Sequence, residues 1–232
     1  MMDGENKNST IRMFHVHKNY GTKKALVDIT LDIPKNEFLF ISGASGAGKT
    51  TLLKLLYLGE TASEGQVLID GMNLSRISSG QIPFLRRKFG IIFQDYKLIA
   101  TKTVFDNIAI VLEAIGKKRH FIEKKVKSVL RTVGMEEKIH SFPPRLSGGE
   151  QQRVAVARSI VGDPKIILAD EPTGNLDDNS ANVILKLLQR FHTRGATVIL
   201  ATHDKELIRK TGGRVIHLNQ GYLQKTTDVE RF

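Results

Sequence analysis

Gly43-Ala44-Ser45-Gly46-Ala47-Gly48-Lys49-Thr50, with Thr51 directly after it, decides how the rest of the chain is read. The run fits G-x-x-x-x-G-K-[ST]. It stands after an apolar stretch, Phe38 to Ser42, and before a helix-patterned one, Thr51 to Leu58. Strand, glycine-rich loop and helix in that order form a phosphate cradle. Glycines let the backbone wrap closely around α- and β-phosphates with its N–H groups inward, and the helix N-terminus adds partial positive charge. Lys49 is expected on the β- and γ-phosphates and the Thr50 hydroxyl on Mg²⁺. A glycine-rich turn with an accidentally exposed lysine would not arrive in register between strand and helix.

Outward from this loop, the chain alternates between two kinds of pattern. Short β-rich runs lead: Ile11 to Val16, Leu26 to Ile33, Glu37 to Ser42 and Gln66 to Ile69, the last ending in an Asp70-Gly71 turn. Several alternate polar with apolar residues, which predicts antiparallel strands with one wet face. From about residue 79 to 144 the pattern is helical, with Val104, Ile108, Val111 and Leu112 on one face and Ile122, Val126, Val129 and Leu130 on another. Beyond it, Ile166-Ile167-Leu168-Ala169 and Thr197 to Ala201 are continuous apolar runs. Between them lies a helix carrying Val183, Ile184, Leu187, Leu188 and Phe191. Such runs alternating with helices predict a parallel sheet buried on both faces. The expected architecture is α/β: a core with a parallel sheet, an antiparallel β subdomain near the N-terminus and an inserted helical subdomain. It forms one domain over residues 11–228, with core and β subdomain at about 11–78 and 145–228, and helices at about 79–162. Residues 1–10 and 229–232 read as polar tails.

Two further segments carry chemistry. Asp170-Glu171 follows the run Ile166 to Ala169 directly, and strand C-terminal ends are where open α/β sheets gather ligands. Asp170 suits contact with Mg²⁺, and Glu171 can reach a water lined up on the γ-phosphate as general base; equally, the two are loop acids capping the next segment. Ser147-x-x-Glu150 is a capping box at the start of a helix burying Val154, Ala157, Ile160 and Val161. A helix start with a serine and two glycines, Gly148 and Gly149, is also a place to hold an anion closely. His15 and His17 flank Val16 on one strand face and lack a third ligand, so they read as surface residues.

Composition limits the rest. A chain of 232 residues with 41% hydrophobic content supports a true core, and neither end has the apolar stretch of a signal peptide. No run approaches the roughly 20 apolar residues of a membrane-crossing helix. Without cysteine there is neither a disulfide framework nor a thiolate metal site. The net charge of +11 is spread from Lys18 to Arg231 and reads as a solvated basic surface, with attraction to an acidic membrane surface as the alternative.

Leu146-Ser147-Gly148-Gly149-Glu150-Gln151-Gln152-Arg153 resembles the signature sequence of ABC-type ATPases, which have a P-loop NTPase core, and it stands between phosphate loop and carboxylate pair as in that family. The resemblance implies an ATP-binding and ATP-hydrolysing subunit with ATP and Mg²⁺ as cofactors. It also implies adenine stacking on Tyr20, a link from Mg²⁺ to the helical lobe through Gln94, a γ-phosphate contact from His203, and a loop Asn175-Leu176-Asp177 crossing a dimer. By residue alone, Tyr20 is a packed aromatic, His203 starts a helix and Asp177 caps one. In the family, Ser147 and Gly149 of one chain meet the γ-phosphate held by another, so a homodimer forms on ATP binding. Many members have glutamine where Glu150 stands; a carboxylate there repels phosphate unless it bonds back to its own cap. The stretches Phe93 to Ile99, Thr103 to Ala109 and Ala169 to Asp177 resemble the cell-division branch of the family. That branch pairs with an integral membrane partner, an FtsX-like permease, on the cytoplasmic face of the plasma membrane, and regulates cell-wall hydrolysis. Ala169 to Asp177 is shared with the lipoprotein-release and macrolide-export ATPases, which remain the alternative. ABC-type ATPases acting on nucleic acid carry paired nucleotide domains, coiled coils or cysteine-rich insertions, so no nucleic-acid partner is expected.

Overall fold

The computed structural model describes residues 9–229. β1 (Ser9–Tyr20) and β2 (Lys23–Pro34) form an antiparallel hairpin, and β4 (Glu64–Ile69) and the short β5 (Met72–Asn73) extend it on the β1 side. The turn between β4 and β5 is Asp70-Gly71, with φ of 48° and 79°, the left-handed pair that two-residue hairpins need. The first strand takes in Ser9 and Thr10, which polarity had assigned to the tail. Thr10 is buried and its hydroxyl donates to Asp70 Oδ1 at 2.7 Å, so a tertiary bond offsets the desolvation of a polar residue. Residues 1–8 and 230–232 of the expected tails lie outside the described residues.

The other half of the sheet is parallel. β3 (Phe38–Ser42) lies between β8 (Thr197–Thr202) and β9 (Gly213–Asn219); β7 (Ile166–Asp170) follows β8, and β6 (Phe89–Ile92) forms the edge. β10 (Tyr222–Val229) runs antiparallel to β9 and meets β2 through one pairing, Tyr222 with Val27, which joins the halves into ten strands in the order β5-β4-β1-β2-β10-β9-β3-β8-β7-β6. β6 corrects the sequence reading, which treated residues 79 to 144 as helical. Its four residues follow the short helix α2 (Ile82–Arg86) and Arg87-Lys88 and are too few to show any period; pairing with β7, from Phe89 opposite Ile166 to Ile92 opposite Ala169, makes them a strand.

Alternation along the central strands sorts the core into two layers. Phe38, Phe40, Ile167, Ala169, Val198 and Leu200 face one side, and Leu39, Ile41, Ile166, Leu168, Ile199 and Ala201 the other. All are buried, as expected when helices cover both faces of a parallel sheet. The second layer is closed by Leu52, Leu53, Leu55 and Leu56 of α1 (Lys49–Leu56). Each such side chain contributes roughly 1.5–3 kcal/mol on burial. The first layer continues into a helical lobe. There α3 (Val104–Ala114), α4 (Arg119–Val133) and α5 (Gly148–Ile160) pack on one another, and α5 also lies on β6 and on α6 (Asp178–Thr193). α5 therefore spans both lobes.

Candidate functional site

The phosphate loop closes onto α1 without a side-chain cap. Its N-cap is Gly48, at φ 110°, and a Cβ there would stand 2.7 Å from the Ala25 carbonyl oxygen. Only glycine fits both the conformation and the approach to β2. The first-turn N–H groups of α1 thus have no competing side-chain acceptor, the condition for anion binding at a helix N-terminus.

Lys49 is 6% exposed. Its ammonium donates to the carbonyls of Gly43 at 2.8 Å and Ala44 at 3.3 Å, and lies 3.2 Å from Glu171 Oε1. The same carboxylate oxygen is 2.9 Å from Nδ1 of His203, just after β8. Glu171 follows β7 with φ 45°, a left-handed conformation that costs a non-glycine residue about 1 kcal/mol or more. Two bonds hold it there: its N–H donates to Ala201 O at 2.9 Å, and Gly174 N–H donates to its carbonyl at 3.2 Å. Such strain marks a side chain aimed by its surroundings.

Asp170 ends β7 with Oδ1 buried and unpartnered. Burial pushes its carboxyl above the ordinary aspartate value; the Thr50 hydroxyl opposes that shift, the Glu171 charge reinforces it, and Lys49 and Lys54 oppose it. A buried carboxylate oxygen without a donor, beside a threonine hydroxyl, is a hard-oxygen pair of the kind Mg²⁺ takes together with phosphate oxygens. The residues present therefore fit the ion. A cavity of about 430 Å³ gathers Tyr20, the loop residues Ala44 to Gly46 and Gly48 to Thr51, Gln94, Asp170, Glu171 and His203. Tyr20 stands at its rim, 41% exposed, with the Lys18 ammonium 4.8 Å from its ring centre. Gly43 and Ala47 are not on the wall: Gly43 packs on the Leu218 carbonyl, and Ala47 is buried, forming the turn to Ala44.

Ser147, Gly149 and Asp177 lie outside this cavity. Ser147 N-caps α5 through the expected box: its hydroxyl accepts from Glu150 N–H at 3.2 Å, and Glu150 Oε2 accepts from Ser147 N–H at 2.8 Å. That bond, first, holds the Glu150 carboxyl below its ordinary value. Asp177 caps α6, accepting from Ser180 N–H at 2.9 Å and from the Ser180 hydroxyl at 2.8 Å. A Cβ on Gly149 would meet that hydroxyl oxygen at 2.5 Å, so the two helix starts touch within one chain.

Three residues of this region carry no local signal in the sequence. Tyr96 and Lys97, just after Gln94, both have positive φ, 53° and 51°, although neither is glycine. Arg158 of α5 pins them by donating to the Tyr96 and Lys97 carbonyls at 2.8 and 2.6 Å. The histidine pair on β1 is broken by a register shift between Met13 and Val16. His15 bonds Asp28 Oδ1 at 2.7 Å, His17 Nδ1 accepts from Asp28 N–H at 3.3 Å, and no metal-binding cluster of three such side chains forms among the described residues.

Comparison with known proteins gives this geometry a family. Residues 26–174 match the ABC transporter family. The cell division ATP-binding protein FtsE of Bacillus subtilis (strain 168) is 45% identical over 214 residues, covering 92% of this chain and 94% of that protein. FtsE of Escherichia coli (strain K12) is 45% identical over 92% of this chain and 96% of its own. Among solved structures, the dimeric post-hydrolysis state of the ATP-binding cassette MJ0796, bound to ADP and Pi, superposes with a TM-score of 0.89 at 32% identity, covering 96% of this chain and all of that one.

Proposed function

The chain belongs to the ABC transporter family of ATPases, and on that premise we propose that it is the ATP-hydrolysing subunit of a cell-division-type membrane complex, working through a nucleotide-dependent dimer cycle. The observation that carries the reading is the Glu171 carboxylate, held between Lys49 at 3.2 Å and His203 at 2.9 Å at the mouth of the phosphate loop.

ATP stacks its adenine on Tyr20 and lays its phosphates along the loop and the start of α1. The β- and γ-phosphates draw the Lys49 ammonium from the Gly43 carbonyl and from Glu171. Glu171 is then free to take a proton from a water aligned with the γ-phosphorus; as the water oxygen bonds to phosphorus, the bond to the β-phosphate oxygen breaks and ADP departs. His203 holds the carboxylate and contacts the γ-phosphate. Thr50, Asp170 and Gln94 would hold Mg²⁺, which would neutralise charge building on the β- and γ-phosphate oxygens.

Ser147 and Gly149 of a second copy close the γ-phosphate from the far side, with the loop at Asp177 crossing the dimer. The γ-phosphate is bound from both sides only in the closed state, so hydrolysis removes the contact that favoured closure. The dimeric form of the MJ0796 cassette supports this arrangement. Among the described residues no helix is long and apolar enough to cross a membrane; an FtsX-like permease is the proposed spanning partner, gripping the cleft near Gln94 and holding this subunit on the cytoplasmic face of the plasma membrane. The similarity to FtsE proteins supports the cell-division assignment over lipoprotein release or macrolide export. The test is Glu171→Gln with saturating ATP and Mg²⁺: hydrolysis falls by about 10²–10⁴-fold while ATP binding persists and a dimer accumulates in size-exclusion chromatography. A variant that binds ATP and stays monomeric sinks the two-subunit scheme.

A further inference from the structure

Gln152 lies one turn beyond the signature glycines on α5 and is 0% exposed. Its Nε2 donates to the Pro172 carbonyl at 2.6 Å. A carbonyl only accepts, so the amide nitrogen must face Pro172, and this fixes which way the side chain is turned. The other end of the amide is left exposed to the opposite problem: Oε1 is buried with no hydrogen-bond partner. Methionine would fill the same space without an orphaned oxygen. Methionine would, however, leave the buried Pro172 carbonyl without its donor, so the amide is close to neutral for stability, and its one hydrogen bond is the one to Pro172.

That bond sits next to the strained residue of the site. Glu171 is held in its left-handed conformation on its N-terminal side by the Ala201 carbonyl. On its C-terminal side the Glu171 carbonyl accepts from Gly174 N–H at 3.2 Å; Pro172, which follows, has no N–H to anchor, and Gln152 adds a second hold there through the Pro172 carbonyl. The same helix reaches the loop after Gln94, because Arg158 grips the Tyr96 and Lys97 carbonyls. One rigid element thus connects the loop at Gln94, through Arg158 and Gln152, to the backbone beside the general base.

We propose that Gln152 is a positioning residue for hydrolysis: through the Pro172 carbonyl it aims Glu171 at the attacking water, so that the seating of α5 on the Gln94 loop sets the catalytic competence of the base. The proposal rests on the reading of Glu171 as general base. It assigns Gln152 no contact with nucleotide.

The experiment uses the full chain and follows single-turnover hydrolysis, steady-state kcat and KM for ATP, and Tm. Gln152→Met is expected to lower kcat by about ten- to a hundredfold, the scale of a small misplacement of a reacting group, with KM within about twofold and Tm little changed, since an orphaned Pro172 carbonyl replaces the orphaned amide oxygen. In the Glu171→Gln background the same substitution should cost nothing further. Gln152→Glu keeps the shape, and its buried carboxyl can donate to Pro172 only when protonated. Its rate relative to wild type should therefore rise as pH falls from about 8 to about 6. An unchanged kcat in Gln152→Met, losses that multiply with Glu171→Gln, a kcat loss accompanied by an equal loss of Tm and ATP binding, or a flat pH ratio in Gln152→Glu each overturns the proposal. If instead Glu171→Gln alone hydrolyses ATP at the wild-type rate, the general-base reading is what has failed.

Discussion

Two helix N-termini in this protein are proposed to meet phosphate, and they are built differently. α1 begins at a glycine, has no side-chain cap, and keeps a nearly buried lysine folded onto the loop carbonyls and onto Glu171. α5 begins with a complete capping box in which Ser147 and Glu150 satisfy each other's backbone N–H groups. The first terminus depends on a ligand to use its donors; the second is satisfied within its own chain. Capping and anion binding are nonetheless compatible at α5. Ser147 uses its oxygen to accept from Glu150 N–H, and the box leaves the N–H groups of Gly148 and Gly149 outside it. The proposed primary and completing sites thus differ in how much of the helix end the protein has already satisfied.

Substitutions at the two ends test that contrast. Lys49→Ala removes the ammonium from the uncapped end, and hydrolysis should fall by about 10²–10³-fold with ATP affinity, measured by calorimetry, falling too; near-normal affinity would show that the backbone cradle suffices alone. Ser147→Ala should leave ATP binding by the single chain intact. It should lower dimer hydrolysis by roughly ten- to a hundredfold, as expected for one hydrogen bond to a charged group at about 1.5–3 kcal/mol, and cost about 1 kcal/mol of stability as a lost cap. If both assays move together, the two termini are not independent.

Gly149→Ala probes the contact between helix starts. Its Cβ would stand 2.5 Å from the Ser180 hydroxyl oxygen, so Tm should drop by the equivalent of about 1–3 kcal/mol, and Ser180→Gly in the same chain should restore most of it. The smallest effect is expected for Glu150→Gln, because glutamine also completes a capping box: ATPase activity should stay within about twofold in a steady-state assay. Since Glu150 is held below 4.5 in the folded chain, its ionised form stabilises the fold fully above that value and loses the contribution as pH falls through the lower, folded value. The Tm advantage of wild type over Glu150→Gln should therefore shrink below pH 4.5. A large loss of activity at neutral pH would give the carboxylate a second role.

Where chemistry is carried by consecutive residues, the sequence alone was legible. The loop from Gly43 to Thr51, the box of Ser147 and Glu150 and the acids after β7 are local patterns, because backbone geometry within a few residues imposes them. The apolar runs of β3, β7 and β8 predicted a buried parallel sheet for the same reason. The family resemblance added roles for Tyr20, Gln94 and His203, and the fold brings all three to one cavity. What stayed hidden was every feature that needs a partner far along the chain. β6 is a strand only because β7 lies beside it, and Tyr96 and Lys97 hold left-handed backbone only because Arg158, about 60 residues away, accepts the task of bonding their carbonyls. The two helix ends return the same lesson: the motif at Gly43 marked the expected phosphate loop, but packing decided that Lys49 lies on Glu171 and that Gly149 must be glycine beside Ser180. Side-chain periodicity records which face a residue presents, and only the folded chain records what meets it there.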